Sequence, residues 1–402
     1  VQLKRLTNKN IVLGVTGSIA AYKACDIIRM LKKEGADVKV VTTDNALKFI
    51  TPLTLETLSG NEVVKEMFPE HRVVKTRHIS IAEWADAILI APATANIIGK
   101  IASGIADDFL TTLVMASRVP VVIAPAMDYE MVTNPIYLEN CKKLEKHNFT
   151  FVPTEEGPLA SGAVGPGRLA KYDIILNRVL YAIQEQSALK GKKVIVSAGP
   201  TIEPIDPVRF ISNYSTGKMG FAVAEAAVIR GADVILVTGQ VSIDVPFGVK
   251  CIKVDTAADM EKAILDEISE ADVLIMAAAV ADYKVEEYSR NKIKKSGDLT
   301  LKLKKNKDII NSVLEKKRPK VLVGFAMETN DSEKNAVNKL KGKKLDFICL
   351  NNLYDEGAGF AKDTNKVTIF EKNGSAEELP VMSKFGLAEK ILDKVEKYFR
   401  EN

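Results

Sequence analysis

Aromatic residues make up only 6% of this 402-residue chain, with a single tryptophan. Few flat platforms are left on which single-stranded nucleic acid could stack. Neither sign of charge dominates: 56 lysines and arginines face 52 aspartates and glutamates, for a net charge of +4. Near balance argues against a nucleic-acid-coating protein and against an acidic tail. Cysteine is sparse. Cys25, Cys141, Cys251 and Cys349 lie far apart and form no CxxC pair. That excludes a disulfide scaffold and a cysteine zinc site, and fits a reducing, cytoplasmic compartment. No apolar run approaches the roughly 18 residues a membrane helix needs. The longest, Val119–Met127 and Val273–Ala281, read as strands. The first residues hold no apolar core of the signal-peptide kind. The expectation is a cytoplasmic protein with small-molecule partners, no nucleic acid and no membrane.

Against these absences stands an ordinary globular hydrophobic content of 47%. At roughly 100–200 residues per domain the length suggests two or three domains. Two segments repeat one plan. An apolar strand (IVLGV) leads through TGS to a helical stretch over Ile19–Lys33, a stop at Gly35, and the β-branched strand GADVKVVTT. From Lys193 the same order recurs: VIVSA, a turn at Gly199, a long loop, a helix from about Met219, and GADVILVTG from Gly231. Each is a βαβ unit that opens a run of alternating strands and helices. The pattern predicts an α/β fold of two doubly wound domains, residues 1–189 and 190–402. Tyr172–Gln186 closes the first as an amphipathic helix, and the polar Ser187–Lys192 forms the junction. Two loops, Thr154–Arg168 and Gly199–Lys218, are long enough to suggest function, as is the lysine-bearing Tyr283–Asp298.

Several strand ends carry small or polar residues. GVTGSIA (Gly14–Ala20) follows a strand and opens a helix, so it reads either as an anion site or as a tight βα turn. IAPATANIIGKIASGIADDFLT (Ile90–Thr111) runs a buried strand into a hydroxylic loop where open α/β sheets bind ligands. VVIAPAMDYEM (Val121–Met131) adds a third polar tip. His78 reads as a loop residue before a helix, either a general base or a surface or capping histidine. In the second half, STGKM lacks the Walker spacing, yet its loop offers many donors to a phosphate. Asp282 ends IMAAAVADY (Ile275–Tyr283), as a Mg²⁺ contact or a helix cap. LTLKL (Leu299–Leu303) reads as a strand with one wet face, and the neighbouring lysines suit a solvated edge.

The first half resembles the homo-oligomeric flavin-containing cysteine decarboxylases. GVTGSIA, His78, APATANIIGKIASGIADD, PAMDYEM and GPLASGAVGPGRL (Gly157–Leu169) carry the resemblance across most of residues 10–170. It implies FMN in a flavodoxin-like, three-layer α/β domain assembled as trimers. It implies cofactor contacts from Gly17, Ser18, Ile19, Thr43, Ala91, Thr94, Asn96 and Ser103. His78 takes the base and orienting role, the tip bearing Asp128 holds the substrate carboxylate, and the flap bearing Ser161 supplies the proton. Two residues depart from the family pattern: Asp128 stands where Asn is usual, and Ser161 where Cys is usual.

The second half resembles phosphopantothenate–cysteine ligases. ISNYSTGKMG, AAAVADY, NKIKK, GFAMETN, NKLKGKKLD and ICLNN carry this across most of residues 190–400. The resemblance implies a Rossmann-like ligase domain that uses CTP and Mg²⁺ and forms dimers. Asn213 serves the acyl-intermediate step and Lys292 its formation. Asp282, Lys307, Asp308, Ile309, Ile310, Phe325, Lys339 and Lys343 hold the nucleotide, and Asp282 also contacts the metal. Fused in this order, the halves resemble the bifunctional enzymes that make 4′-phosphopantetheine from 4′-phosphopantothenate and cysteine. Trimers and dimers would close into a dodecamer. Two other readings stand beside this one: a ligase whose flavin domain is a weak decarboxylase or a scaffold, and a non-catalytic flavoprotein regulator.

Overall fold

The structure is a computed structural model. It describes residues 4–68, 76–184, 187–294, 298–328, 331–352 and 362–400. The chain divides into two compact units, residues 4–185 and 186–402. Among the described residues no helix is long and apolar enough to cross a membrane.

In the first unit, β1 (Asn10–Val15), β2 (Asp37–Thr42), β3 (Ala87–Ala93), β4 (Val121–Pro125) and β5 (Thr150–Phe151) form one parallel sheet. Its order is β2-β1-β3-β4-β5, the flavodoxin-like arrangement, whose direction of winding reverses between β1 and β3. Ile11, Val12 and Leu13 are all fully buried, as is every residue of β3. Such continuous apolar runs arise because helices cover both faces of a parallel sheet. Ile97, Ile98, Leu110 and Leu113 pack on one face with Val12, Ile88, Ile90 and Ile123.

The helix expected over Ile19–Lys33 is split. Ser18 accepts a hydrogen bond from the Ala20 N–H, and a tight 3₁₀ turn runs over Ile19–Lys23 before the α-helix Ala24–Lys33 begins. The predicted helix at Tyr172 spans Tyr172–Ile183, and Gln186 lies outside the described residues. The Thr154–Arg168 loop is an antiparallel hairpin of β6 (Glu155–Pro158) and β7 (Val164–Arg168). Its glycines and prolines concealed two short strands.

The second unit is built on β8 (Lys193–Ala198), with the small hairpin β9 (Ile202–Pro204) and β10 (Phe210–Ser212) inside the Gly199–Lys218 loop. The main sheet continues with β11 (Asp233–Thr238), β12 (Lys250–Lys253) and β13 (Val273–Met276). A two-stranded ribbon, β14 (Tyr283–Val285) with β15 (Leu303–Lys305), stands apart. Then come β16 (Val321–Glu328), β17 (Phe347–Asn352), β18 (Thr364–Glu371) and β19 (Ala376–Ser383). The sheet order is β12-β11-β8-β13-β16-β17-β18-β19. Its first six strands are parallel in the Rossmann order, and β18 and β19 add an antiparallel edge. Two apolar clusters sandwich it. Val194, Val196 and Ala198 face one and Ile195 the other, as period-two alternation requires.

Two strand expectations change here. IMAAAVADY leaves the sheet after Met276, so Ala277–Asp282 line a crevice rather than extend a strand. LTLKL contributes only Leu303 to β15, and Leu299 and Leu303 are both exposed, so there is no dry face. The fully buried Asp346 precedes β17 and accepts hydrogen bonds from Arg318 (2.8 Å), Lys372 (2.7 Å) and the Leu322 N–H (2.8 Å).

Candidate active sites

In the first unit the tips of β1, β3 and β4 meet where the winding reverses. The Thr16 hydroxyl donates to the Pro92 carbonyl at 2.7 Å and accepts from the Thr94 N–H at 3.1 Å, tying β1 to β3. Ser18 reaches the Ala126 carbonyl beyond β4 at 3.4 Å. Thr94 caps the helix Ala95–Ala102 through the Ile97 N–H, and Asn96 is exposed in its first turn. Gly17 is needed for close approach: a Cβ there would lie 2.5 Å from the Asn45 Cβ and 3.0 Å from its carbonyl carbon. Ala91 is buried within β3, and Ser103 ends the helix Ala95–Ala102 as an exposed cap. Ile19 is 62% exposed at the mouth. At the end of β2, the Thr42 and Thr43 hydroxyls are buried and have no hydrogen-bond partner among the described residues. Buried hydroxyls are normally satisfied. Two orphaned ones beside small-residue strand tips fit a polar, flat cofactor such as a flavin.

The two residues that depart from the decarboxylase pattern touch. Ser161, at the turn of the β6–β7 hairpin, donates a short hydrogen bond to the Asp128 carboxylate. Asp128 also accepts from the Glu130 N–H and so caps the turn Tyr129–Val132. The hairpin is pressed onto this tip. The Met127 N–H donates to the Gly167 carbonyl at 2.9 Å, and a Cβ on Gly167 (φ +144°) would meet the Met127 carbonyl oxygen at 2.3 Å. His78 is not in a loop. It sits in the first turn of the helix Arg77–Trp84, with its ring edge-on to Phe109 at 6.5 Å. Among the described residues no hydrogen bond joins it to the strand tips.

The second unit has a cavity of about 580 Å³ at the carboxyl ends of β13, β16 and β17, beside the start of the helix Lys218–Ile229. Asp282, Lys307, Asp308, Ile309, Ile310, Phe325, Lys339 and Lys343 all line it. Asp308 caps the helix Ile309–Lys316, accepting from the Ile310 and Asn311 N–H groups at 3.0 and 3.2 Å. It also pairs with Lys343 at 2.7 Å, while Lys339 pairs with Glu328 at 2.7 Å. Asp282 precedes β14, so it caps no helix, and its side chain is exposed at the cavity. Among the described residues no group of three acidic or other metal-ligating side chains forms. One carboxylate suits Mg²⁺, which keeps its waters and shares substrate phosphates.

The sequence reading missed a cationic end to this cavity. Lys218 and Lys384 line it with Asn351 and Asn365, and Lys218 pairs with Asp363 at 2.6 Å. Burial, with Lys218 nearby, pushes Lys384 down to about 8. Its ammonium is charged at neutrality and is lost as pH rises through that value. The kcat/KM of a reaction that uses this cavity is therefore expected to fall above about pH 8, and Lys384→Met should remove that limb. An unchanged limb in the variant would exclude Lys384. Lys384 stands 166 positions after Lys218 in the chain, so no local pattern signals the pair.

Asn213 and Lys292 do not line the cavity themselves. The Asn213 amide donates to the carbonyl of Ala279, a lining residue, at 2.9 Å. Lys292 is exposed on the segment after β14, and the Lys295 of NKIKK and the end of GFAMETN lie outside the described residues.

A family model described as Flavoprotein matches residues 2–184. One described as DNA/pantothenate metabolism flavoprotein C-terminal domain matches residues 189–399. Over 394 residues, 97% of each chain, the protein is 47% identical to the coenzyme A biosynthesis bifunctional protein CoaBC of Bacillus subtilis. This chain belongs to the CoaBC family. The CoaBC protein of Borreliella burgdorferi is 44% identical over 390 residues, 96% of this chain and 98% of its own. A solved C-terminal domain of a CoaBC protein is 37% identical and covers 54% of this chain and 100% of its own, with a TM-score of 0.47. The orphaned threonines lie in the segment matched by the Flavoprotein model. The lysine-lined cavity lies in the C-terminal segment.

Proposed function

We propose that residues 190–402 join 4′-phosphopantothenate to cysteine with CTP and Mg²⁺, and that residues 1–189 decarboxylate the product with FMN. As a member of its family the chain is a phosphopantothenoylcysteine decarboxylase and phosphopantothenate–cysteine ligase. The observation that carries the division of labour is that the strand-end groups lie in separate units, the orphaned Thr42 and Thr43 hydroxyls in one and the lysine-lined cavity in the other.

In the ligase half, a substrate carboxylate oxygen attacks the α-phosphorus and pyrophosphate leaves. The cysteine amine then attacks the acyl carbon, cytidylate leaves, and an amide forms. Lys307, Lys339, Lys343, Lys218 and Lys384 supply positive charge around the transferring phosphate. In the decarboxylase half, Gly17, Ser18, Thr43 and Thr94 would hold FMN, whose redox chemistry makes loss of CO₂ feasible. His78 takes a proton from the substrate thiol and orients it. Ser161, hydrogen-bonded to Asp128, relays a proton from water to carbon. Exposed Ile19, Tyr22 and Leu53 in the first unit, and Val208, Phe210 and Tyr214 in the second, suit trimeric and dimeric contacts in a homo-oligomer.

The test is mass spectrometry of products after incubation with 4′-phosphopantothenate, cysteine, CTP and Mg²⁺. Accumulation of 4′-phosphopantetheine is expected. Absence of any amide product would overturn the reading. One observation favours a second outcome: the flap carries a hydroxyl already committed to Asp128 rather than a thiol. Arrest at 4′-phosphopantothenoylcysteine would mean that this pair has disabled the flavin half.

A further inference from the structure

The residues assigned to the two ligase steps, Asn213 and Lys292, are far apart in sequence, yet one small hairpin touches both. The strand β10 ends at Ser212, whose hydroxyl donates to the Thr201 carbonyl at 2.9 Å. The next residue, Asn213, reaches the cavity wall at Ala279. At the other end, the turn between β9 and β10 grips the segment that bears Lys292. Asp206 is fully enclosed there. Its Oδ1 accepts from the Val208 and Arg209 N–H groups at 2.8 and 2.9 Å. Its Oδ2 accepts from the Arg209 Nε at 3.0 Å and from the Ile293 N–H at 3.1 Å. Arg209 in turn donates to the Ile293 carbonyl at 2.7 Å. Ile293 is thus held through both its backbone groups. Four residues earlier, the Ser289 N–H donates to the Ile205 carbonyl at 3.1 Å. Lys292 sits between the two anchored points.

Burial works against the Asp206 charge, yet the Arg209 guanidinium and the N–H groups of Val208, Ile293 and Arg209 hold the carboxyl well below its ordinary range. The grip therefore stays charged across the neutral range.

We infer that Asp206 is a positioning residue for acyl-nucleotidylate formation, acting through Arg209 and Ile293 to hold Lys292 in place. This rests on the ligase reading and deepens it. A long, exposed lysine on an irregular segment has many rotamers and a mobile backbone. A role in acyl-nucleotidylate formation needs it in one place, and a misplacement near 1 Å costs about 100-fold in rate. Asp206 supplies the fixed point that the segment lacks in its own secondary structure.

The experiment measures CTP-dependent pyrophosphate release by the full chain, for Asp206→Asn, Lys292→Gln and the double variant. Asp206→Asn is expected to lower kcat about 10- to 100-fold with the KM for CTP within about twofold, because positioning rather than binding is lost. The double variant should be no slower than Lys292→Gln alone, since a residue acting through another adds nothing once that other is gone. Multiplied losses in the double variant would overturn the inference, as would a wild-type rate in Asp206→Asn. Should Asp206→Asn misfold, Arg209→Gln removes only the side-chain links and is read by the same cycle. A wild-type rate in Lys292→Gln would sink the role given to Lys292 along with its positioning. That result is distinguishable from a failure of Asp206 alone.

Discussion

His78→Asn is expected to cut CO₂ release from 4′-phosphopantothenoylcysteine about 1,000-fold, the scale of a lost general base, while CTP-dependent ligation stays unchanged. Asparagine keeps a hydrogen-bonding side chain of similar reach but cannot take a proton near neutrality. The imidazole has a fixed setting: it stands in the first turn of Arg77–Trp84, edge-on to the buried Phe109. That contact orients the ring without occupying both nitrogens. The check is to assay CO₂ and pyrophosphate release on one preparation whose flavin absorbance matches wild type. Loss of both activities would defeat the assignment of separate chemistry to the two units.

Ser161→Ala should slow formation of 4′-phosphopantetheine about 100-fold, as removal of a proton-transfer group does. The argument rests on the place of Ser161, on the flap beside the Asp128 tip that the resemblance assigns to the substrate carboxylate. The hairpin that carries Ser161 is itself seated by Gly167 against Met127. Ser161→Cys should retain turnover, because a thiol is a stronger acid than a hydroxyl. If Ser161→Ala turned over at the wild-type rate, the proton would have to come from elsewhere and the hairpin would be no more than a cover.

Much of this was legible in the chain. The twice-repeated strand, helix, glycine stop and GADV strand announced two doubly wound sheets, because parallel strands buried on both faces must be continuously apolar. The residues from Lys307 to Lys343 that the resemblance points to all line one cavity. What stayed hidden was the product of long-range packing. Asp128 and Ser161 are 33 positions apart, and nothing local shows that a glycine-rich hairpin folds one onto the other. The helix after His78 begins two residues earlier than expected, at Arg77, so the histidine falls in its first turn. The hairpins β6–β7 and β9–β10 were taken for loops since their strands are too short to show alternation. Nothing local marks Asp206 either, because its grip on Ile293 spans 87 positions.

The enclosed carboxylate of Asp346 has a consequence for where the cavity's polar groups can be. It sits at the foot of β17, matched to two cations and to the Leu322 N–H of β16. Sliding β17 by one residue against β16 would strand that charge among apolar side chains, a much larger penalty than any lost ladder bond. The same slide would turn Asn351, at the cavity end of the strand, to the opposite face of the sheet. Asp346 therefore works as a latch at one end of a ruler. It does not line the cavity, but it sets which face of β17 does.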